Sequence, residues 1–133
     1  MSATGPAVTL NFFKLVVKDL PAMLEFYERA FGFTVARKIE SPLMEEAILT
    51  LPGADGRFSL VLYRWKDGRD ITVGNGHGPV GLHTADVDAA FDHAVAQGAS
   101  ASVKPFSFPG ARIAFVLDPE GHEVELINMA RVA

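Results

Sequence analysis

Residues 10–32, LNFFKLVVKDLPAMLEFYERAFG, read as a strand, a capped helix and a stop, and the same grammar returns half a chain later. Leu10 to Val17 is β-branched and aromatic enough for a strand. Asp19 stands at a helix N-cap with Pro21 in the first turn, where a missing N–H costs nothing. Leu20, Leu24, Tyr27 and Phe31 then recur on one face of an amphipathic helix, and Gly32 supplies the left-handed stop.

Working outward, Phe33–Ile39, Glu46–Leu51 and Arg57–Trp65 read as strands, the last two joined by the turn Pro52-Gly53-Ala54-Asp55-Gly56. Residues 66–77 turn polar and glycine-rich and read as a linker. After it come a strand at Val80–Thr84, an N-cap at Asp86 and a helical face of Val87, Phe91 and Ala94, with Gly98 as stop. Strands follow at Ser100–Lys104 and Arg112–Leu117, then the turn Asp118-Pro119-Glu120-Gly121 and a last strand at His122–Asn128. Subtraction tests the repeat: Asp86 minus Asp19 is 67, Gly98 minus Gly32 is 66, and Gly121 minus Gly56 is 65. Three punctuation marks hold register to within two residues, so the chain is a duplicated module rather than a solenoid array. The expected fold class is α+β, with βαβββ modules at 8–65 and 78–129 preceded by a short disordered N-terminus. Each half is too small to be comfortably stable alone, so the halves should share a core or pair with another chain.

Composition removes several function classes. The 133 residues contain no cysteine, which excludes disulfide scaffolds, thiolate metal sites and cysteine nucleophiles. Twelve Lys+Arg against sixteen Asp+Glu give a formal charge of −4, the wrong sign for a nucleic-acid binder. No apolar run approaches a membrane span, and Met1–Val8 lacks a basic region followed by an apolar one. The expectation is a soluble cytoplasmic protein with neither a nucleic acid nor a membrane as partner. Nucleophile elbows, phosphate-binding glycine loops and HExxH patterns are absent.

The order and spacing of several pieces resemble the glyoxalase / bleomycin resistance / extradiol dioxygenase (vicinal oxygen chelate) superfamily. They are Val17-Lys18-Asp19-Leu20, Phe26-Tyr27, Phe31-Gly32-Phe33, Ala85-Asp86-Val87-Asp88 and Asp118-Pro119-Glu120-Gly121-His122-Glu123-Val124-Glu125-Leu126. The last is most similar to glyoxalase I. The resemblance spans about Leu10 to Asn128 and implies paired modules curling into a cup-shaped mixed sheet with the helices outside. It also implies a divalent metal and a small molecule in the cup, and cups often completed by dimerisation.

The duplication itself marks four equivalent cup positions: Phe12 with Pro79, seven residues before each cap, and Leu60 with Glu125, four after each turn glycine. These are also where the resemblance places its metal ligands, typically His or Gln, Glu, His and Glu. Only Glu125 can donate to a cation, so the family's metal site reads as degenerate and no cofactor is expected. A one-residue slip would substitute Asn11 or Phe13, and Ser59 or Val61, while His77 shares the parity of Pro79.

Strand alternation groups Phe12, Lys14 and Val16 on the inner face, likewise Phe58, Leu60 and Leu62, then Pro79, Gly81 and His83, then Glu123 and Glu125. This apolar set with a few polar members is the ordinary form of a small-molecule site. Lys14 and Glu125 could pair in the cup, within or between chains, either to orient a ligand or as a salt bridge where the metal once lay; otherwise the Lys14 tip reaches solvent at the strand edge, or Lys14 acts as a base. His83 is a wall residue or a titrating one, His77 is expected to be solvated, and His122 structural. Phe106 and Phe108, in a loop between Pro105 and Pro109, could stack on a planar ligand, plug the cup or fill a dimer interface. Two functions compete. One is a metal-independent homodimeric protein that sequesters a small molecule such as an antibiotic or aromatic metabolite. The alternative is a glyoxalase-I-like lyase/isomerase, using either a divalent metal or Lys14, His83 and Glu125.

Overall fold

The structure is a computed structural model that describes residues 5–53 and 58–129. Gly56, one of the turn glycines used in the repeat arithmetic, and the first residues of the chain lie outside that set. The elements are β1 (Phe12–Val16), α1 (Leu20–Phe31), β2 (Thr34–Glu40), β3 (Met44–Thr50), β4 (Ser59–Trp65), β5 (Val80–His83), α2 (Val87–Ala96), β6 (Ser100–Phe108), β7 (Ala111–Leu117) and β8 (Glu123–Met129). They form two βαβββ modules, each a four-stranded mixed sheet, ordered β1-β4-β3-β2 and β5-β8-β7-β6. No helix among the described residues is long and apolar enough to cross a membrane.

Local chemistry sets the helix ends. The Asp19 carboxylate accepts the Ala22 N–H at 3.0 Å, and Asp86 accepts the Ala89 N–H at the same distance. Gly32 closes α1 at φ 79°, donating its N–H to the Glu28 carbonyl. In α2 the cap is Gln97, one residue before the expected Gly98.

The strands β1 and β4 run parallel with Lys14 opposite Val61 and Leu15 opposite Leu62, while β3 pairs antiparallel with Ile48 opposite Val61. Neighbouring partners share a face. Leu15, Leu60, Leu62, Ala47 and Leu49 therefore face α1, and all are buried. In the second sheet the buried Leu126 and Ala114 and the half-buried Leu82 share the face beneath α2. Both sides merge into one core that includes Tyr27 and Met23 of α1 together with Val116, Val124 and Leu126 of the second sheet.

Two expectations need correction. Leu60 and Leu62 do not share the inner face of Phe12; Ser59, Val61, Tyr63 and Trp65 hold that face of β4. The cause is hairpin length: eight residues separate β3 from β4 but five separate β7 from β8, so the turn glycines are not equivalent. Phe106 and Phe108 are not in a loop either. Strand β6 continues through Pro105 to Phe108, with register shifts on the way. It is an edge strand, where a missing N–H is tolerated.

Candidate functional site

The first strands of the two modules, β1 and β5, are the unpaired inner edges of their sheets. Between them lies a cleft of about 680 Å³, lined by Leu10, Phe12, Phe13, Phe58, Leu60, Pro79, Gly81 and Leu82, with His77 and His83 as its imidazoles. It is predominantly hydrocarbon and aromatic with two convergent polar groups, the composition of a small-molecule site. Phe13 meets the His77 ring edge-on with centroids 5.7 Å apart, so the glycine-rich segment is folded back against β1. His77, expected to be solvated, thereby helps to line the cleft while keeping an exposed face. A second cavity of about 480 Å³ lies along the same seam, between β1 from Phe13 to Val16, the segment Ile71–Asn75 and residues Leu117 and Gly121–Glu123.

Charge on the inner faces is unevenly placed. Lys14 Nζ lies 3.1 Å from Glu46 Oε2. The expected partner Glu125 is instead on the other sheet, in register with Gly81 and Phe115, so the Lys14–Glu125 pair within one chain is corrected. Glu123 lines the smaller cavity from the start of β8, and Glu125 follows two residues on, half-buried. His83 is exposed on the face of Gly81 and lines the larger cleft, which Lys14 does not. Phe106 and Phe108 pack on each other at 6.1 Å but line neither cavity.

Beneath the seam, the turn before β8 fastens the modules together. Asp118 is 2% exposed; its carboxylate accepts Tyr27 Oη–H at 2.8 Å and the Glu120 and His122 N–H groups at 2.9 Å. His122 contacts that carboxylate through Nδ1 at 2.9 Å and the Val16 carbonyl through Nε2 at 3.1 Å. Burial is the strongest influence on His122 and lowers its pKa, but the hydrogen bond and charge of Asp118, the Val16 carbonyl and Glu120 together hold it above the ordinary value. Tyr27 is pushed well above its ordinary value, first by burial and then by the charge and hydrogen bond of Asp118. Glu120 accepts the N–H groups of Lys18 and Asp19 at 2.6 and 2.9 Å. His122 is thus a structural residue.

With this architecture in place, the sequence pattern that defines the Glyoxalase/Bleomycin resistance protein/Dioxygenase superfamily matches residues 9–126. The chain belongs to that superfamily. Among relatives, it is 31% identical over 119 residues to a probable lactoylglutathione lyase of Vibrio cholerae, covering 86% of each chain. It is 30% identical over 116 residues to the lactoylglutathione lyase GLX1 of Arabidopsis thaliana, spanning 84% of this chain but 41% of that longer protein. The crystal structure of glyoxalase I from Zea mays superposes with a TM-score of 0.82 at 23% identity, covering 93% of this chain and 46% of the maize protein. An antibiotic binding protein from Streptomyces, TnmS3, superposes at 0.75 and 23% identity over 96% of this chain and all of that one. The two superpositions establish the fold alone.

In the metal-dependent branches of the superfamily a divalent ion would sit at the four cup positions, and the residues present do not fit one. Correcting the β4 register replaces Leu60 by Val61, the partner of Lys14 as Gly81 is the partner of Glu125. The set is then Phe12, Val61, Pro79 and Glu125, three side chains without a lone pair and one carboxylate. Among the described residues no three His, Cys, Asp or Glu side chains converge. Catalytic metal sites take about three protein ligands.

Three inner-face residues escaped sequence reading: Glu46, Tyr63 and Trp65. Counting β4 from its parallel partner β1, rather than from the turn glycine, would have found the last two.

Proposed function

We propose that this superfamily member binds a small, largely apolar molecule in the cleft between β1 and β5 without the family's metal centre. The observation that carries the reading is the cleft itself: two of the four family ligand positions, Phe12 and Pro79, have become part of its apolar wall. Desolvating a ligand against Leu10, Phe12, Phe58 and Leu82 supplies affinity, and His77 and His83 supply hydrogen bonds that orient it. The chain exposes further apolar side chains, including Met129 at 61%, Phe108 at 45% and Phe12 at 44%. A homodimer that covers part of this surface belongs to the same reading.

A lyase/isomerase of the lactoylglutathione lyase type is the second reading, favoured by the relatives at 30–31% identity. That chemistry removes a proton next to a carbonyl and must stabilise the enediolate left behind. In this chain Glu125 is the carboxylate at a family position. Lys14, His83 and Glu125 make no hydrogen bond or ion pair with one another among the described residues, so these three do not form an assembled acid–base group within one chain.

The deciding experiment is a thermal-stability screen of untagged protein against small molecules and, separately, Ni²⁺, Zn²⁺, Co²⁺ and Mn²⁺. Stabilisation by an apolar compound that grows with its concentration, with no metal-dependent shift, supports the binding reading. A metal-dependent shift reversed by EDTA, together with turnover of a methylglyoxal–thiol adduct, overturns it in favour of the lyase. Light scattering at several concentrations checks the dimer.

A further inference from the structure

The inner face of the first sheet sets Lys14 between the rings of Phe12 and Tyr63, and of these three the cleft reading uses only Phe12. Lys14 Nζ lies 5.5 Å from the Phe12 ring centroid and 4.7 Å from that of Tyr63. Tyr63 meets Trp65 near edge-on at 4.9 Å, and the Arg69 guanidinium covers Trp65 at 3.8 Å. Both ammonium–ring distances are within cation–π range.

Depth decides what a ligand would meet. The Glu46 side chain is 10% exposed and that of Lys14 is 40% exposed, with Nζ 3.1 Å from Oε2. The carboxylate is therefore underneath and the cation on top. The contact is misaligned, since the buried Oε2 receives no directed hydrogen bond. An ammonium has three donors, and among the described residues none of these is spent on a directed bond. The gap between Phe12 and Tyr63 is already filled by the chain's own cation, so a cationic ligand would be repelled there. A neutral ligand without an acceptor would leave the outward N–H donors of the ammonium unsatisfied once water was excluded, although Glu46 balances the charge from below.

We propose that Lys14, held from below by Glu46 and flanked by Phe12 and Tyr63, anchors the oxyanion of an aromatic carboxylate or phenolate. Phe12 and Tyr63 pack against the ligand's ring, and Glu46 is a positioning residue. The assignment rests on the cleft being the ligand site: Phe12 lines the larger cavity and Lys14 the smaller one beside it. It narrows that site to a substrate class, flat and anionic, despite the net charge of −4 for the whole chain.

The test uses three fragments with one ring and three charges: benzoate, benzyl alcohol and benzylamine. Trp65, the single tryptophan, reports from one ring contact away, and backbone amide shifts at Phe12–Val16 and Tyr63–Trp65 localise binding. Benzoate should bind saturably and about tenfold more tightly than benzylamine, the effect of roughly one well-placed charge contact. Lys14→Arg should keep the preference. Lys14→Met combined with Glu46→Gln removes both charges together, leaves no buried unpaired carboxylate, and should erase it; should that pair fail to fold, Lys14→Gln replaces it. Benzylamine binding as tightly as benzoate, or a benzoate preference surviving without Lys14, overturns the proposal. Amide shifts at Val80–His83 with no charge preference would overturn it while leaving the cleft reading intact, and no shifts at either place with any fragment would overturn both.

Discussion

His122 on the turn into β8 and Val16 at the end of β1 are joined across 106 residues, with Nε2–H donating to the Val16 carbonyl at 3.1 Å. Its Nδ1 faces the Asp118 carboxylate at 2.9 Å. Both ring nitrogens thus face acceptors, an arrangement satisfied in full by the doubly protonated imidazolium. The two modules are tied through a histidine whose surroundings raise its pKa and so favour the charged form.

That tie makes stability depend on pH. The pKa of His122 is raised on folding, so the native state binds the proton more tightly than the unfolded chain. Its stabilising contribution is complete below the unfolded value of about 6.5 and is lost as pH rises through the higher folded value. Melting temperature should therefore fall from pH 6 towards alkaline pH, and His122→Asn should flatten that slope. A wild-type profile parallel to that of His122→Asn would show that the imidazole stays neutral.

Tyr27 reaches the same carboxylate from α1, with its hydroxyl 2.8 Å from Asp118 Oδ2 and no exposed surface of its own. Tyr27→Phe keeps the ring contacts with Phe26, Phe31 and Phe33 and removes only the donor. A hydrogen bond to a charged, buried acceptor is worth about 1.5–3 kcal/mol. Urea unfolding should show a loss of that size with an unchanged m-value.

The duplicated grammar was legible because caps and stops are local: Asp19, Asp86 and Gly32 act on groups within four residues of themselves. The face of β4 was not, because it depends on how Lys14 registers against Val61 across the 46 residues between them. Counting from Gly56 turned every inner residue of that strand outward, as a one-residue slip must. The Lys14–Glu46 contact is hidden for the same reason, since β4 lies between β1 and β3 in the sheet. At Phe106, Pro105 read as a breaker because sequence does not show that β6 is an edge.

Gly81 gives a way to block the cleft without disturbing the fold. It is exposed, lines the cleft, and a Cβ built on it meets nothing within 4 Å. Its φ is not in the left-handed region, so a side chain brings no backbone strain. Gly81→Leu should leave the melting temperature unchanged or slightly higher, because the unfolded chain loses freedom. It should also abolish stabilisation by any ligand found in the screen. Undiminished ligand stabilisation in this variant would place the ligand elsewhere.

The corrected register can be tested by rebuilding the lost centre. Phe12→His, Val61→Glu and Pro79→His, added to the native Glu125, restore the His, Glu, His and Glu pattern of the family at the four inner-face positions. Untagged triple variant should retain zinc in stoichiometric amount by elemental analysis, where wild type retains none. Placing the carboxylate at Leu60 instead puts it on the opposite face of β4 from Phe12, at a position 4% exposed against the apolar wall of the cleft. An unpaired buried carboxylate costs several kcal/mol, so that variant should unfold readily and hold no zinc. Zinc retained by the Leu60→Glu version but not by the Val61→Glu version would return Leu60 to the inner face, and with it the original alignment of the two modules.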